Sequence, residues 1–225
     1  MITDVTRMQG DKLCIAALDG GKAVRLHNPG PREEWLRSKG GLAPGDIVSL
    51  CWKSPRRCQR PHLEDRDWNP ESLSKVERIP EDELAQRLSN SAFRSIKDAF
   101  GPPCFYSENG NAAFTPGKGA RSLASVGVGS ARVYPYEEGV RVDFADGRQE
   151  WSMVPLEDLA VRNHRAHCSS CTANLPKLLA SEFEGGQAIL RVGLGRPFQS
   201  GGNPPACYLQ VNHIFLIPSK RIHFV

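Results

Sequence analysis

The segment 51–62 places several basic side chains close to an indole ring. The basic residues are Lys53, Arg56, Arg57 and Arg60, and the ring belongs to Trp52. Cations bind phosphates, and a flat ring stacks on an unpaired base, so this combination is typical of a groove for nucleic acid. The alternative is a solvated surface loop in which Trp52 merely closes the core.

A second candidate set lies near the end of the chain, where Arg191, Arg196 and Phe198 precede Tyr208. Guanidinium and aromatic groups on one rim of a sheet are suited to binding nucleotides. Because side chains alternate along a strand, roughly half of such groups face the core. Arg196 and Phe198, which border a predicted loop, are therefore better candidates than Tyr208.

A third cluster has the spacing of metal ligands. It contains His164, His167, Cys168 and Cys171. Two thiolates in a Cys-x-x-Cys unit bind one tetrahedral zinc ion, but a structural zinc site normally needs four ligands. No second Cys-x-x-Cys occurs, and Cys58 and His62 would complete a site only if the fold brought them close. We therefore expect an exposed loop of thiols and no bound metal.

The usual signatures of catalysis are missing from the sequence. It contains no Gly-x-Ser-x-Gly, phosphate-binding loop or His-Glu-x-x-His, the motifs that position a nucleophile, a nucleotide or a catalytic zinc ion. Redox chemistry at Cys168 and Cys171 would need a strand-to-helix setting that Ser169, Ser170 and Pro176 do not indicate. The sequence thus predicts a binding protein that is not an enzyme and has no cofactor.

The composition is that of an ordinary globular protein. The chain has 225 residues, of which 40% are hydrophobic and 24% charged, with a formal net charge of +4. The first residues lack the basic-then-apolar order of a secretory leader, and no apolar run approaches the roughly 18 residues that span a bilayer. We expect a cytoplasmic protein without membrane contact, whose seven cysteines stay reduced.

Alternating patterns and turn residues predict strands in both halves of the chain. Gly20 and Gly21 join two strands in a hairpin, and Glu137 to Gly139 and Asp146–Gly147 separate further strands. Predicted strands cover residues 12–18, 22–26, 47–52, 126–134, 140–144, 149–154, 188–194 and 207–215. Predicted helices cover residues 31–39 and 80–88, the second running on with a break to residue 100, with a helical turn at 155–159.

The segment 101–121 is rich in Gly, Pro, Asn and Ser and predicts a connection between two domains. We place the boundary near residue 110. The predicted fold class is mainly β with short helical inserts.

The closing segments 190–198 and 207–215, with the Gly/Pro loop between them, resemble the C-terminal signature of the prokaryotic dual OB domain-containing proteins. The first hairpin, the strand after Pro44-Gly45-Asp46, the helix at Glu81 and Arg121-Ser122-Leu123 resemble that family in order and spacing. The resemblance implies two consecutive OB-like small β-barrels, over 1–110 and 111–225. It also implies nucleic-acid binding, in a prokaryotic genome-conflict or defence context.

Two functions remain open from the sequence. The first is non-catalytic binding of nucleic acid. The second is a protein-interaction adaptor whose barrel loops bind a partner protein, because the same small barrel also binds oligosaccharides and proteins. Steep weakening by salt would distinguish phosphate binding from an apolar interface.

Overall fold

The computed structural model describes residues 1–8, 10–55, 58–107, 110–137, 139–167, 187–200 and 202–217. Strands predominate among these residues and the helices are short, which confirms the predicted mainly β class. No helix within these ranges combines the length and the apolar character needed to cross a membrane.

The first half builds a mixed sheet and a separate strand pair. Its strands are β1 (Ile2–Arg7), β2 (Leu13–Asp19), β3 (Lys22–Asn28), β4 (Asp46–Ser49), β5 (Trp52–Lys53), β6 (Asp65–Trp68) and β7 (Ser74–Arg78). The sheet has the order β1-β2-β3-β6-β5, with β3 parallel to β6, whereas β4 pairs with β7. The hairpin β2–β3 is confirmed: Gly20 and Gly21 have φ of 53° and 80°, a backbone region that glycine adopts easily.

The predicted strand 47–52 is divided between two sheets. Ile47 and Val48 pair with β7, and Trp52 pairs with Trp68 of β6. The prediction was wrong at Leu50 and Cys51, where the chain leaves one sheet for the other, because the β-prone sequence carries no turn residue at that point.

Short helices fill the space between the strands. They are α1 (Glu33–Ser38), α2 (Glu81–Ser89), α3 (Ile96–Phe100) and α4 (Leu159–His167). Helix α2 buries Leu84 and Leu88 on one face, as predicted, and the predicted break separates it from α3, whose N-cap Ser95 accepts a hydrogen bond from the Asp98 amide. The predicted helical turn at 155–159 is wrong, because Pro155 ends a strand and Leu156 and Asp158 form β-bridges. Helix α4 begins only at Leu159, and its pattern did not predict it.

The second half contains two further sheets. Its strands are β8 (Phe105–Tyr106), β9 (Ala112–Phe114), β10 (Leu123–Val128), β11 (Ser130–Tyr136), β12 (Gly139–Ala145), β13 (Glu150–Pro155), β14 (Gln187–Leu194) and β15 (Cys207–Ile217). One sheet has the order β10-β14-β15-β9-β8 and the other the order β11-β12-β13. The predicted strand 126–134 is interrupted at Gly129, between β10 and β11.

The glycine- and proline-rich segment 101–121 contains strands, although the sequence predicts only a connection there. Strand β8 pairs with β9, and β9 pairs with Cys207 and Tyr208 of β15. The expected boundary near residue 110 falls between β8 and β9 and stays a prediction.

The buried apolar side chains form three clusters. One fills the sheet of the first half, and one fills the second half, where α3 contributes Ile96 and Phe100. The third joins the halves, because Leu84 and Leu88 of α2 pack with Phe215 of β15. The sheets form no closed barrel among the described residues, so the two OB-like barrels also stay a prediction.

Candidate functional site

Trp52 lies at the edge of the first sheet with much of its ring open to solvent. It is 41% exposed, and its strand β5 pairs with β6 through Trp52–Trp68 and Lys53–Asp67. The guanidinium carbon of Arg66 lies 5.0 Å from the centroid of the Trp52 ring. This cation–π contact, together with the backbone pairing, holds the ring at the surface.

An open cleft of about 420 Å³ lies beside Trp52. Its walls contain Trp52, Lys53, Asn28, Pro29, Cys51, Asp67, Trp68 and Asn69. The floor is rigid, because the Trp68 indole is buried, donates to the Pro29 carbonyl oxygen at 2.8 Å and meets the Trp35 ring edge-on at 5.2 Å. The cleft thus combines an aromatic wall, amide groups, one ammonium group and one carboxylate.

The cations predicted beside Trp52 have different surroundings. Lys53 is exposed and has no ion-pair partner among the described residues. Arg60 is exposed and donates to the Gly119 carbonyl oxygen at 2.9 Å, so it also connects the first half to the chain after β9. Arg56 and Arg57 lie outside the described residues, and their role stays a prediction.

Arg196 of the second predicted set lies next to this cleft. Its Nη2 is 2.6 Å from an Asp65 carboxylate oxygen and 3.2 Å from Nδ1 of His27. His27 precedes Asn28, and Asp65 lies two residues before Asp67, and both Asn28 and Asp67 line the cleft. The fold therefore brings Arg196 close to the Trp52 region, although 144 residues separate them in the sequence.

Phe198 is the most exposed large apolar side chain among the described residues, at 64%. Its backbone forms a bridge with Ala206 that closes the base of the loop between β14 and β15. This position agrees with the prediction that the loop displays an aromatic group. Tyr208, which the alternation argument ranked lower, packs its ring edge-on against Phe105 at 6.3 Å.

Arg191 is inaccessible in this structure. Only 2% of it is exposed, its Nε donates to Asp4 at 2.9 Å, and Nη1 donates to Ser125 at 3.0 Å. A phosphate reaches this guanidinium only if the two halves separate, so the rim position expected from the sequence is corrected to an interior one. The sequence of β14 alone does not predict that Arg191 is buried, because the carboxylate that pairs with it belongs to β1.

A buried network of charges lies behind the Arg196 contact. Arg25 donates to Asp65 at 2.7 Å and to Nδ1 of His62 at 2.8 Å. Burial raises the pKa of Asp65, but Arg25 and Arg196 outweigh it and hold that pKa below its ordinary value. Burial and the same two arginines lower the pKa of His62 to about 3. The network is therefore a fixed support with a neutral imidazole.

The predicted metal cluster falls mostly outside the described residues. His164 and His167 belong to α4, whereas Cys168 and Cys171 are not described. Within the described ranges, no group of three or more His, Cys, Asp or Glu side chains is arranged to hold a metal ion. His62 is buried against Arg25, and the exposed Cys58 donates its thiol proton to the His62 carbonyl oxygen at 2.9 Å. The expectation of no bound zinc stays a prediction.

Sequence reasoning missed Arg66, which the fold brings onto the Trp52 ring. The signal in the sequence was the pair of tryptophans, Trp52 and Trp68. These two residues become cross-strand partners because a loop joins β5 to the antiparallel strand β6. A cation two residues before Trp68 then lies near the ring of Trp52. The prediction was confined to the cations of segment 51–62, and Arg66 lies outside that segment.

Comparison with known proteins gives no match to a family model, to a curated protein or to a solved structure. The function therefore has to be argued from the site.

Proposed function

We propose that the protein is a non-catalytic nucleic-acid-binding protein and that the cleft beside Trp52 binds an unpaired base. The observation that carries this proposal is the exposed Trp52 ring, which Arg66 holds in place at the mouth of a cleft that Lys53 also lines. Stacking of a base on an aromatic ring is worth about 1–3 kcal/mol and does not depend on the sequence of the strand.

The cations around the cleft suit the phosphates that flank a bound base. Lys53 lines the cleft and Arg66 lies over the ring, and the sequence adds Arg56 and Arg57 immediately after β5. Arg196 approaches from the second half of the chain. A strand that leaves the cleft along this path meets basic groups on both sides, which is how single-strand grooves follow a backbone.

Two carboxylates lie close to this path and limit its charge. Asp65 is already paired with Arg25 and Arg196, so its charge is compensated. Asp67 lines the cleft beside Lys53 and opposes phosphate there. We therefore assign the cleft itself to the base and the surrounding cations to phosphates.

The finer parts of the proposal follow from the resemblance to the dual OB domain-containing proteins. According to this resemblance, the sheets of each half are OB-like barrels and the protein acts in a prokaryotic genome-conflict or defence context. The order of strands in both halves supports no more than a mainly β fold, and the barrel interpretation is ours.

The exposed Phe198 supports the adaptor as a second candidate function. Its ring is 64% exposed on a loop, which is a suitable anchor for a partner protein because aromatic side chains are enriched at the centres of interfaces. In that case Phe198, rather than Trp52, would carry the affinity.

The test is a titration of the protein with single-stranded DNA, duplex DNA and RNA at two salt concentrations, for the parent and for Trp52→Ala. We expect Trp52→Ala to weaken single-strand binding about tenfold, in line with the loss of one stacked base, and Trp52→Phe to retain most of it. Tyr106→Ala is the matched control, because it removes another exposed ring, 52% exposed, from the far sheet.

Equal affinity of Trp52→Ala and the parent for every single strand contradicts the proposal. If the parent binds no nucleic acid even at low salt, the adaptor becomes the first hypothesis, and the loss of partner capture in Phe198→Ala tests it.

A further inference from the structure

The outer face of the hairpin β11–β12 carries tyrosines and arginines in pairs. Alternation along the strands buries Val133 and Val142 and turns the intervening side chains outward. The outward residues include Arg132, Tyr134, Tyr136 and Arg141, together with one carboxylate, Asp143, which lies opposite Arg132 in the register. The sheet thus keeps its apolar face on the core of the second half and presents an aromatic and basic face on the other side.

Each guanidinium on this face lies over a tyrosine ring. The guanidinium carbon of Arg132 is 5.5 Å from the centroid of Tyr134, and that of Arg141 is 5.6 Å from the centroid of Tyr136. In the register, Arg141 faces Tyr134 across the strands, so its contact with Tyr136 is a diagonal one. The four side chains therefore form one continuous set of two rings and two cations, which we call the Arg–Tyr face.

Hydrogen bonds fix part of the Arg–Tyr face in advance. The Tyr134 hydroxyl donates to Oδ1 of Asp143 at 2.8 Å, and the same oxygen accepts from the Met153 amide at 2.8 Å. Burial and the Asp143 carboxylate raise the pKa of Tyr134 to about 12, so the phenol keeps its proton. Since the ring is held before any ligand arrives, little side-chain entropy is lost on binding.

One end of the Arg–Tyr face opens into a polar cleft of about 450 Å³. Tyr136 and Arg141 line it, and the buried Nε of Arg141 has no hydrogen-bond partner among the described residues. Arg162 and Glu157 also line the cleft, but they form an ion pair with each other. Because this Nε is itself buried, a ligand in the cleft meets Arg141 through the rest of its side chain.

We propose that the Arg–Tyr face is a second binding site, separate from the Trp52 cleft, and that its ligand is a single-stranded nucleic acid. Aromatic rings stack on unpaired bases, and arginine bonds phosphate while its plane also stacks on a base. A duplex keeps its bases stacked inside, and a peptide of acidic residues alone has no rings for Tyr134 and Tyr136. Only the single strand uses both components of the face.

The charges predict a weak dependence on salt at this site. Arg132 and Arg141 have no ion-pair partner among the described residues, so they account for two phosphates. For single strands the slope of log K against log salt is about −0.7 per phosphate, which gives about −1.4 here. The rings, rather than the charges, supply the selectivity for single strands.

This inference shares the ligand class of the proposed function but uses none of its residues, so each site is tested separately. The probe is a single-stranded oligonucleotide that contains photoreactive thiouracil bases, cross-linked by light to the parent and to Trp52→Ala. Cross-linked peptides are identified by mass spectrometry. We expect peptides spanning 130–141 to be cross-linked in both proteins, and those with Trp52 only in the parent.

Paired variants give an independent measurement. We expect Arg132→Ala with Arg141→Ala to lower the affinity for the oligonucleotide about tenfold and to reduce the salt slope by about 1.4. Arg87→Ala with Arg148→Ala removes the same charge from exposed ion pairs elsewhere and serves as the control. Thermal melting of each variant verifies that it folds.

The absence of cross-links within 130–141 in the parent overturns the proposal, whatever the result at Trp52. The proposal also fails if both double variants bind alike, or if duplex DNA or polyglutamate competes at the face as strongly as the single strand. Cross-links within 130–141 without any at Trp52 support the second site and contradict the proposed function.

Discussion

Arg191 and Asp4 form a buried ion pair between the two ends of the chain, with Nε of the arginine 2.9 Å from a carboxylate oxygen. Asn212 donates to the other carboxylate oxygen at 3.0 Å. Both charges are almost completely removed from water, so each depends on the other for compensation.

Removal of one partner should therefore destabilise the protein strongly. We expect Arg191→Met to lower the free energy of unfolding by about 3–5 kcal/mol, because it leaves the Asp4 charge buried and unpaired. Urea unfolding of the variant and the parent measures the difference. Arg32→Ala breaks an exposed ion pair with Asp11 and should change stability by less than about 1 kcal/mol. A similar small effect at Arg191 would show that water reaches this site.

His62 should make stability depend on pH. Its folded pKa is about 3 against an ordinary 6.5, so between these values the unfolded chain binds a proton that the folded protein does not. Stability is thus complete above pH 6.5 and falls as the pH is lowered towards 3. At about 1.4 kcal/mol per pH unit, this group contributes a loss of roughly 2 kcal/mol between pH 6.5 and 5.

The measurement is urea unfolding at several pH values for the parent and His62→Gln. A glutamine oxygen can still accept from Arg25 but does not titrate, so we expect a shallower curve for the variant over this range. Parallel curves for the two proteins would mean that His62 becomes protonated while the protein remains folded.

Hydrogen bonds to Glu64 connect the first sheet to the start of β10. Its carboxylate accepts from the Ser122 amide at 2.8 Å, the Ser122 hydroxyl at 3.1 Å and the Leu123 amide at 3.3 Å. We expect Glu64→Gln to lower the free energy of unfolding by about 1–2 kcal/mol, because the neutral amide oxygen accepts more weakly than a carboxylate and the amide nitrogen cannot accept from the Ser122 hydroxyl. Chemical denaturation measures this loss, and Glu77→Gln on the exposed strand β7 is the control. Equal stability of the two variants would contradict this role.

The basic loop after β5 gives a prediction about binding. Replacement of Arg56, Arg57 and Arg60 together by Ala should weaken nucleic-acid binding without unfolding the protein, because these cations contact phosphates and not the core. Each lost contact should reduce the salt slope by about 0.7 for single strands and by nearly one for duplex DNA. Titrations at several salt concentrations measure it. An unchanged affinity and slope would make this segment a solvated surface only.

Local features of the sequence predicted the strands well where alternation and turn glycines agree, as at Gly20–Gly21 between β2 and β3. They also indicated Trp52 and Phe198 as candidate binding rings, although the sequence left open whether Trp52 closes the core. The sequence could not reveal that Arg191 is buried, because its partner Asp4 is 187 residues away. For the same reason, the sequence did not reveal the Arg–Tyr face. Its rings and cations become neighbours only when Tyr134 and Arg141 pair across two strands.

The pairing of Asp4 with residues near the other end also has a consequence for synthesis on the ribosome. Asp4 emerges first, but Arg191 and Asn212 follow it by 187 and 208 residues. At about 5–20 residues per second, the wait is roughly 10 to 40 seconds. During this time the carboxylate has to remain hydrated, so β1 cannot reach its final environment until β14 and β15 have left the exit tunnel. Strand β1 thus leaves the ribosome long before its environment in the folded protein is complete.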